Sequence, residues 1–399
     1  MHAKTSPDLD KPERKARNSQ WRRTGRVLRK NIANCNTLPV KQKLITRCTH
    51  VTISPQVLQL RIMQTIPIET FLDTLHTYDL VIDARSPREY EESHIPDARN
   101  FYALNDEEHR IVGTLYKQVS PFEARVQGAS YVCVNASNHI KALYPAFTPN
   151  SKIAIYCARG GMRSSSLSTI FSSIGYRIDR IHGGYKQYRR YVVDYLDSLP
   201  SIRFITLSGH TGCGKSELLE HLDNVLDLEK MANHYGSVFG DVGGLQPSQK
   251  EFQNRIVHGY RALDPRRRAF VESESKRIGR LTLSAAIHDQ MMQGFRVEIT
   301  APLEQRVSRI IRMYDRMDGA FFSERMERIS PYISREDKTA ALCAFDNGDL
   351  EHVAEILLVQ YYDKVYKRSH TPDLTLHNDD PAQTAATLAE LQRELEKHP

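Results

Sequence analysis

Residues 203–222 read RFITLSGHTGCGKSELLEHL. The apolar run Phe204 to Leu207 has the character of a buried strand, and a helical pattern begins at once after Ser216. Between them, Gly209, Gly212, Gly214, Lys215 and Ser216 hold the spacing G-x-x-x-x-G-K-S. Strand, glycine-rich turn and helix are the context this motif requires, so the segment predicts a phosphate-binding loop in an α/β domain. Glycines let backbone N–H groups close around phosphate oxygens, Lys215 neutralises them, and Ser216 is suited to ligate Mg²⁺. A following strand, RAFVESES, ends in Glu272 and Glu274. Glu272 is thus a second candidate Mg²⁺ ligand. No apolar run ends in the usual Asp, and no purine-specificity segment is evident. A cradle without hydrolytic apparatus points to a grip on a diphosphate leaving group; a conventional ATPase or kinase is the alternative.

A second glycine-rich turn lies upstream, in IAIYCARGGMRSSS (153–166). The β-branched run SKIAIYC predicts a buried parallel strand. Leu167, Ile170, Phe171 and Ile174 then recur at helical spacing until Gly175. With the strands at Leu80–Ile82 and in YRIDRIHGG, and the helix YKQYRRYVVDYL, this is the strand-loop-helix grammar of a parallel sheet. Cys157 falls where a strand ends and a helix begins, so loop amides and the helix dipole favour an anion there. Beside Arg159, Gly160, Gly161 and Arg163 the thiol is expected to be a thiolate, and Cys157 is the candidate nucleophile. An inert buried cysteine is the alternative. Asp83 and Arg85 are expected to form a structural ion pair.

The chain has 399 residues, 40% of them apolar, enough for two or three separate cores. No run reaches the roughly eighteen apolar residues of a membrane span. The six cysteines (35, 48, 133, 157, 213, 343) have no paired or metal-ligand spacing, which fits reduced thiols and a cytoplasmic location. The formal charge of +7 is uneven: residues 1–62 hold 14 Lys and Arg against Asp8, Asp10 and Glu13, leaving 41 basic and 45 acidic residues from Met63 onward. Any polyanion therefore meets local patches in the body of the protein. Candidate contacts are Lys186 and Arg189, the run Arg266, Arg267 and Arg268, and Arg306 and Arg309 on the polar face of the helix in TAPLEQRVSRIIRMY. Arg306 and Arg309 alternatively form a lid over phosphates. The expected divisions are a basic arm, transit-like peptide or over-extended reading frame at 1–62, a parallel-sheet domain at 63–200, and a phosphate-loop domain with a helical C-terminal part at 201–399.

IDARSPREY (82–90), HIPDA (94–98), CARGGMRS (157–164) and IHGGY (181–185) resemble, in order, the signature segments of rhodanese domains. The resemblance implies a loop cysteine that takes up sulfur or selenium. Five residues separate Cys157 from Arg163, one more than sulfur-carrying rhodaneses usually have. The wider loop is similar to that of related phosphatases and implies a phosphate-bearing donor.

A rhodanese-like module ahead of a P-loop module resembles the tRNA 2-selenouridine synthase family. ALNDEEHRIVGTLYKQ (103–118), DLEKMANHYGSVFG (227–240), ESESKRIG (272–279) and YYDKVYKR (361–368) agree with it. The resemblance implies a transferase acting on tRNA with 2-thiouridine at the wobble position. S-geranylation from geranyl diphosphate comes first, and selenophosphate then supplies selenium in place of the geranylthio group. It implies these two co-substrates, no tightly bound cofactor, and a selenophosphate-supplying enzyme as partner. The chain departs from the family at Leu115 and Tyr156, where members often carry Cys, and at Ser273, where an acid is expected. An ATP-dependent tRNA sulfurtransferase and a nucleotide-gated tRNA-binding protein with an inert rhodanese fold are the competing readings.

Overall fold

The computed structural model describes residues 63–314, 317–366 and 371–397. The reading of residues 1–62 as an arm or extension lies outside the described residues. From Met63 onward the chain forms one compact unit, built on two five-stranded parallel sheets.

The first sheet contains β1 (Gln64–Ile66), β2 (Leu80–Asp83), β3 (Arg99–Asn100), β4 (Lys152–Tyr156) and β5 (Arg177–Ile181), in the order β1-β5-β4-β2-β3. Ile153, Ala154, Ile155 and Tyr156 are all buried. An uninterrupted apolar run suits a strand covered on both faces. The connections reverse direction at β2 and β4, so a crevice opens at their carboxyl ends, and Cys157 follows β4 directly. Helix α1 (Met162–Ser173) buries Leu167 and Phe171 against the sheet. Gly175, at φ +103°, ends it as expected. Helix α2 (Gly184–Asp197) returns along the sheet with Tyr185, Tyr188 and Val192 buried.

The second sheet contains β6 (Phe204–Ser208), β7 (Val225–Leu226), β8 (Ala269–Glu272), β11 (Phe295–Thr300) and β12 (Leu374–His377), in the order β12-β11-β6-β8-β7. The first strand is central, and the chain changes sides after β8. The phosphate loop thus lies at the topological switch point. It leads into α3 (Lys215–Glu220), and α4 (Leu228–Ala232) and α5 (Gln249–Ala262) follow. A two-stranded antiparallel ribbon, β9 (Arg277–Ile278) with β10 (Leu281–Thr282), stands apart from the sheet. Helix α6 (Leu303–Tyr314) opens the helical C-terminal part, where Val307 and Ile310 join a second core with Phe322, Met326 and Leu357. There the chain runs through a π-helical stretch, Leu357–Tyr362. Strand β12 follows, and α7 (Pro381–Lys397) is the last described helix.

Helix α5 binds the two sheets together. Asn254, fully buried, donates to the His94 carbonyl (2.7 Å) and to the Tyr185 hydroxyl (3.0 Å). The His94 amide donates to Glu251 Oε2 (2.9 Å), and Arg189 donates to the Lys250 carbonyl (3.1 Å) and to Gln253 Oε1 (2.7 Å). Val257 packs into the core of the first sheet with Ile181 and Tyr188.

Candidate functional site

The Cys157 loop is a turn held from below. The Cys157 and Ala158 carbonyls accept from the amides of Tyr185 (2.8 Å) and Lys186 (3.0 Å), and Arg180 donates to the Gly160 carbonyl (2.8 Å). Two donors aim at the sulfur, the Gly161 N–H and the Ser164 hydroxyl, each at 3.2 Å. Cys157 is 3% exposed and packs into the core that includes Ile155 and Leu167. The two arginines do not surround the sulfur as expected. Arg163 forks onto the Glu89 carboxylate, and Arg159 is exposed to solvent. Burial pushes the Glu89 carboxyl up, but Arg163 outweighs it and holds the group below its ordinary range. Glu89 also closes a capping box with Ser86, so the helix Pro87–Glu92 sets where Arg163 points.

Asp83 and Arg85 form the expected structural pair. They are bidentate (Nη2 to Oδ2, 2.6 Å; Nε to Oδ1, 3.0 Å), with Arg85 stacked 3.8 Å from the Tyr185 ring centre. Tyr156 is fully buried, and its hydroxyl accepts from the Ile95 amide (3.1 Å).

At the phosphate loop, Gly209, Gly212 and Gly214 all have positive φ, the backbone a close cradle needs. Lys215 Nζ donates to the Gly209 carbonyl (3.0 Å). Burial pulls its ammonium pKa down, but Cys213, Glu229 and Glu274 raise it further than burial lowers it. The helical C-terminal part clamps the loop from outside. Arg306 donates to the Thr211 carbonyl (2.9 Å) and grips Asp363 with both terminal nitrogens, His210 pairs with Asp363 (2.8 Å), and the Gly209 amide donates to the Tyr366 hydroxyl (3.1 Å). Arg309 bridges Glu217 (2.9 Å) and the Gly212 carbonyl (3.4 Å).

The acid beside Ser216 is not the one expected. Ser216 donates to Glu229 Oε2 (2.9 Å), whereas Glu272 turns away and accepts from the Leu228 amide (3.1 Å). Glu272 ends a strand whose last side chain points into the protein, so it is fully buried and outside the cavity. Glu229 and Glu274 line the cavity, and a Cβ at Gly236 would lie 2.6 Å and 2.8 Å from their respective Oε1 atoms. Burial and Glu229 push Glu274 up to about 8. Among the described residues, no three His, Cys, Asp or Glu side chains form a metal-ligating group. A Mg²⁺ ion here would rely on Ser216, Glu229 and substrate oxygens, an arrangement usual for this cation.

These parts share one cavity of about 910 Å³. One wall is the phosphate loop, with Lys215, Ser216 and Arg309. Another is apolar and aromatic: Val238, Ile310, Tyr361, Val365 and Pro372. Ile310 reaches this wall from α6. The π-helical stretch and the residues after it bring Tyr361, Tyr362, Val365 and Tyr366 to the same wall. The segment HYGSVFG, unassigned from sequence, also lines the cavity, with Tyr235, Gly236, Ser237 and Val238.

Most of the arginines nominated as nucleic-acid contacts have other partners. Arg189 packs between the sheets, Arg266 pairs with Asp264 (3.0 Å), and Arg267 donates to Gln392 (2.7 Å). Arg268 is partly buried, and its amide donates to Glu396 (3.3 Å). Arg306 is buried and Arg309 nearly so, in keeping with the alternative placement beside the phosphate loop. Lys186 remains exposed. No described helix is long and apolar enough to cross a membrane.

A family model described as the AAA domain of tRNA 2-selenouridine synthase matches residues 202–332, and one described as a rhodanese-like domain matches residues 68–191. The tRNA 2-selenouridine synthase of Hydrogenovibrio crunogenus is 33% identical over 323 residues, covering 72% of this chain and 88% of that protein. The synthase of Marinobacter nauticus is 32% identical over 322 residues, covering 72% and 87%. That of Pseudomonas syringae pv. tomato is 36% identical over 242 residues, covering 59% and 65%.

Proposed function

Because the chain belongs to the tRNA 2-selenouridine synthase family, we propose that it converts 2-thiouridine at the tRNA wobble position to 2-selenouridine through an S-geranylated intermediate. The observation that carries the choice of geranyl diphosphate is the cavity, in which a diphosphate cradle meets an apolar, aromatic wall. A nucleoside triphosphate would leave that wall in contact with polar groups, whereas an isoprenoid chain covers it.

In the first step the sulfur of the base attacks the allylic carbon, the carbon–oxygen bond to diphosphate breaks, and the N3 proton of the base is lost. The loop amides and Lys215 stabilise the charge that develops on the leaving diphosphate. A Mg²⁺ ion held by Ser216 and Glu229 would add to that neutralisation. In the second step the Cys157 loop holds selenophosphate, whose selenium attacks C2 and displaces geranyl thiolate; water then cleaves the selenium–phosphorus bond, phosphate leaves, and the base and the thiolate each take up a proton.

The test is incubation of the purified protein with thiolated tRNA and each donor separately, with nucleosides read by mass spectrometry. Geranyl diphosphate alone should give S-geranyl-thiouridine, and both donors together should give selenouridine. A requirement for ATP turnover would overturn this reading in favour of the sulfurtransferase.

A further inference from the structure

The reaction just proposed needs a nucleobase on a folded RNA to enter the cavity that holds the allylic diphosphate, and the cavity has a rim suited to it. We propose that Tyr235 and the β9–β10 ribbon form an RNA-docking surface, with Tyr235 stacking on a base and Lys276, Arg277 and Arg280 contacting backbone phosphates. The inference rests on the functional reading above.

Three observations carry it. Tyr235 lines the cavity yet is 48% exposed, whereas Tyr361 and Tyr362, which also line it, are each 6% exposed. Its backbone is fixed: its amide donates to the Gly240 carbonyl (2.9 Å), the Gly240 amide donates to the Ser237 carbonyl (2.9 Å), and Gly236, at φ +63°, leaves no room for a Cβ. A rigidly mounted, half-exposed ring is a stacking platform that costs little ordering on binding.

Second, the ribbon starts from the cavity wall. Ser273, Glu274 and Ser275 line the cavity, and the ribbon follows without a break. Its turn rests on the residue before Tyr235, since a Cβ at Gly279 would lie 2.8 Å from His234 Cδ2. Gln246 clamps it, accepting from the Arg280 amide (2.8 Å) and donating to the Ile278 carbonyl (3.1 Å).

Third, the ribbon's charge is available. Lys276, Arg277 and Arg280 are exposed. The two guanidinium groups donate to carbonyl oxygens, of Gly279 and of Gln246 and Pro247, and Lys276 stands 3.9 Å from Asp289. Carbonyl contacts orient a guanidinium without neutralising it. Single-stranded RNA is bound by this combination of aromatic stacking and backbone cations.

The experiment measures binding of the full chain to a 2-thiouridine anticodon stem-loop by fluorescence anisotropy, between about 50 and 200 mM salt. The triple variant Lys276→Glu, Arg277→Glu, Arg280→Glu should weaken binding and lower the salt slope by about three. Tyr235→Ala should lose roughly five- to hundredfold in affinity, while Tyr235→Phe keeps it. In the triple variant, protection of the fold by geranyl diphosphate against urea should be unchanged. Wild-type RNA affinity in both the triple variant and Tyr235→Ala would overturn the docking surface and leave the proposed function standing. Failure of the wild type to bind the RNA would overturn both.

Discussion

Gly184→Ala is the substitution whose consequence follows most directly from the coordinates. Gly184 has φ +57°, and a Cβ there would lie 2.1 Å from the Cys157 carbonyl oxygen, 2.6 Å from the Gly160 amide nitrogen and 3.1 Å from that of Arg159. All three neighbours are backbone atoms of the thiol loop, so relief requires moving the loop itself. Left-handed backbone costs an L-residue about 1–2 kcal/mol, and forcing a methyl into packed space adds roughly 1–3 kcal/mol. The expected loss is therefore about 2–5 kcal/mol in urea unfolding. Selenium transfer should fall with it, while geranyl transfer at the other loop persists. Gly161→Ala is the internal control, because nothing lies within 4 Å of its Cβ and its φ is −90°; it should be near neutral. If Gly184→Ala matches the wild type in both stability and selenouridine yield, the steric account of the loop is wrong.

Cys157→Ser, nearly isosteric, should fold normally and accumulate S-geranyl tRNA without selenouridine, as read by nucleoside mass spectrometry. Lys215→Ala should slow geranyl transfer by about a hundredfold or more, chiefly in kcat, because the departing diphosphate loses its cation; single-turnover kinetics measure this. Asp83→Asn leaves the buried Arg85 guanidinium without its anion and should cost about 3 kcal/mol or more in urea unfolding. For pH, burial and Glu229 hold Glu274 at about 8 in the fold, against an ordinary 4.5. The folded protein thus keeps a proton that the unfolded chain has released, and this group's contribution to stability falls as pH rises from about 5 to 8. Glu274→Gln should flatten that slope in urea midpoints taken across the range.

What the sequence made legible is local. Strand β6, its glycines and Lys215 are contiguous, so a motif could report them, and Cys157 with Gly160 and Gly161 was legible for the same reason. Charge partners were not. Arg163 is claimed by Glu89, which lies 74 residues upstream, and Ser216 by Glu229, 13 residues on. Contact across such separations depends on sheet order, which periodicity does not encode. Glu272 was nominated because it ends a strand, but alternation along β8 sends its side chain inward. The basic runs misled for a related reason. Arg267 and Arg268 count as surface charge until the last helix covers them, and nothing local to DPRRRAF announces that helix. Tyr361 and Tyr362 carried a helical pattern, but the widened turn that brings both to the cavity has no sequence signature.

The clamp formed by Asn254 bears on how this protein can be taken apart. Cut between the two sheets, near residue 200, the upstream piece would lose the Asn254 donor to the Tyr185 hydroxyl and the acceptors of the Arg189 guanidinium, directly beneath the turn that carries Cys157. The downstream piece would bare Val257 and the Asn254 amide to water. Either fragment would be a poor proxy for its module, and a silent fragment would report the loss of that seam and not the chemistry of either loop.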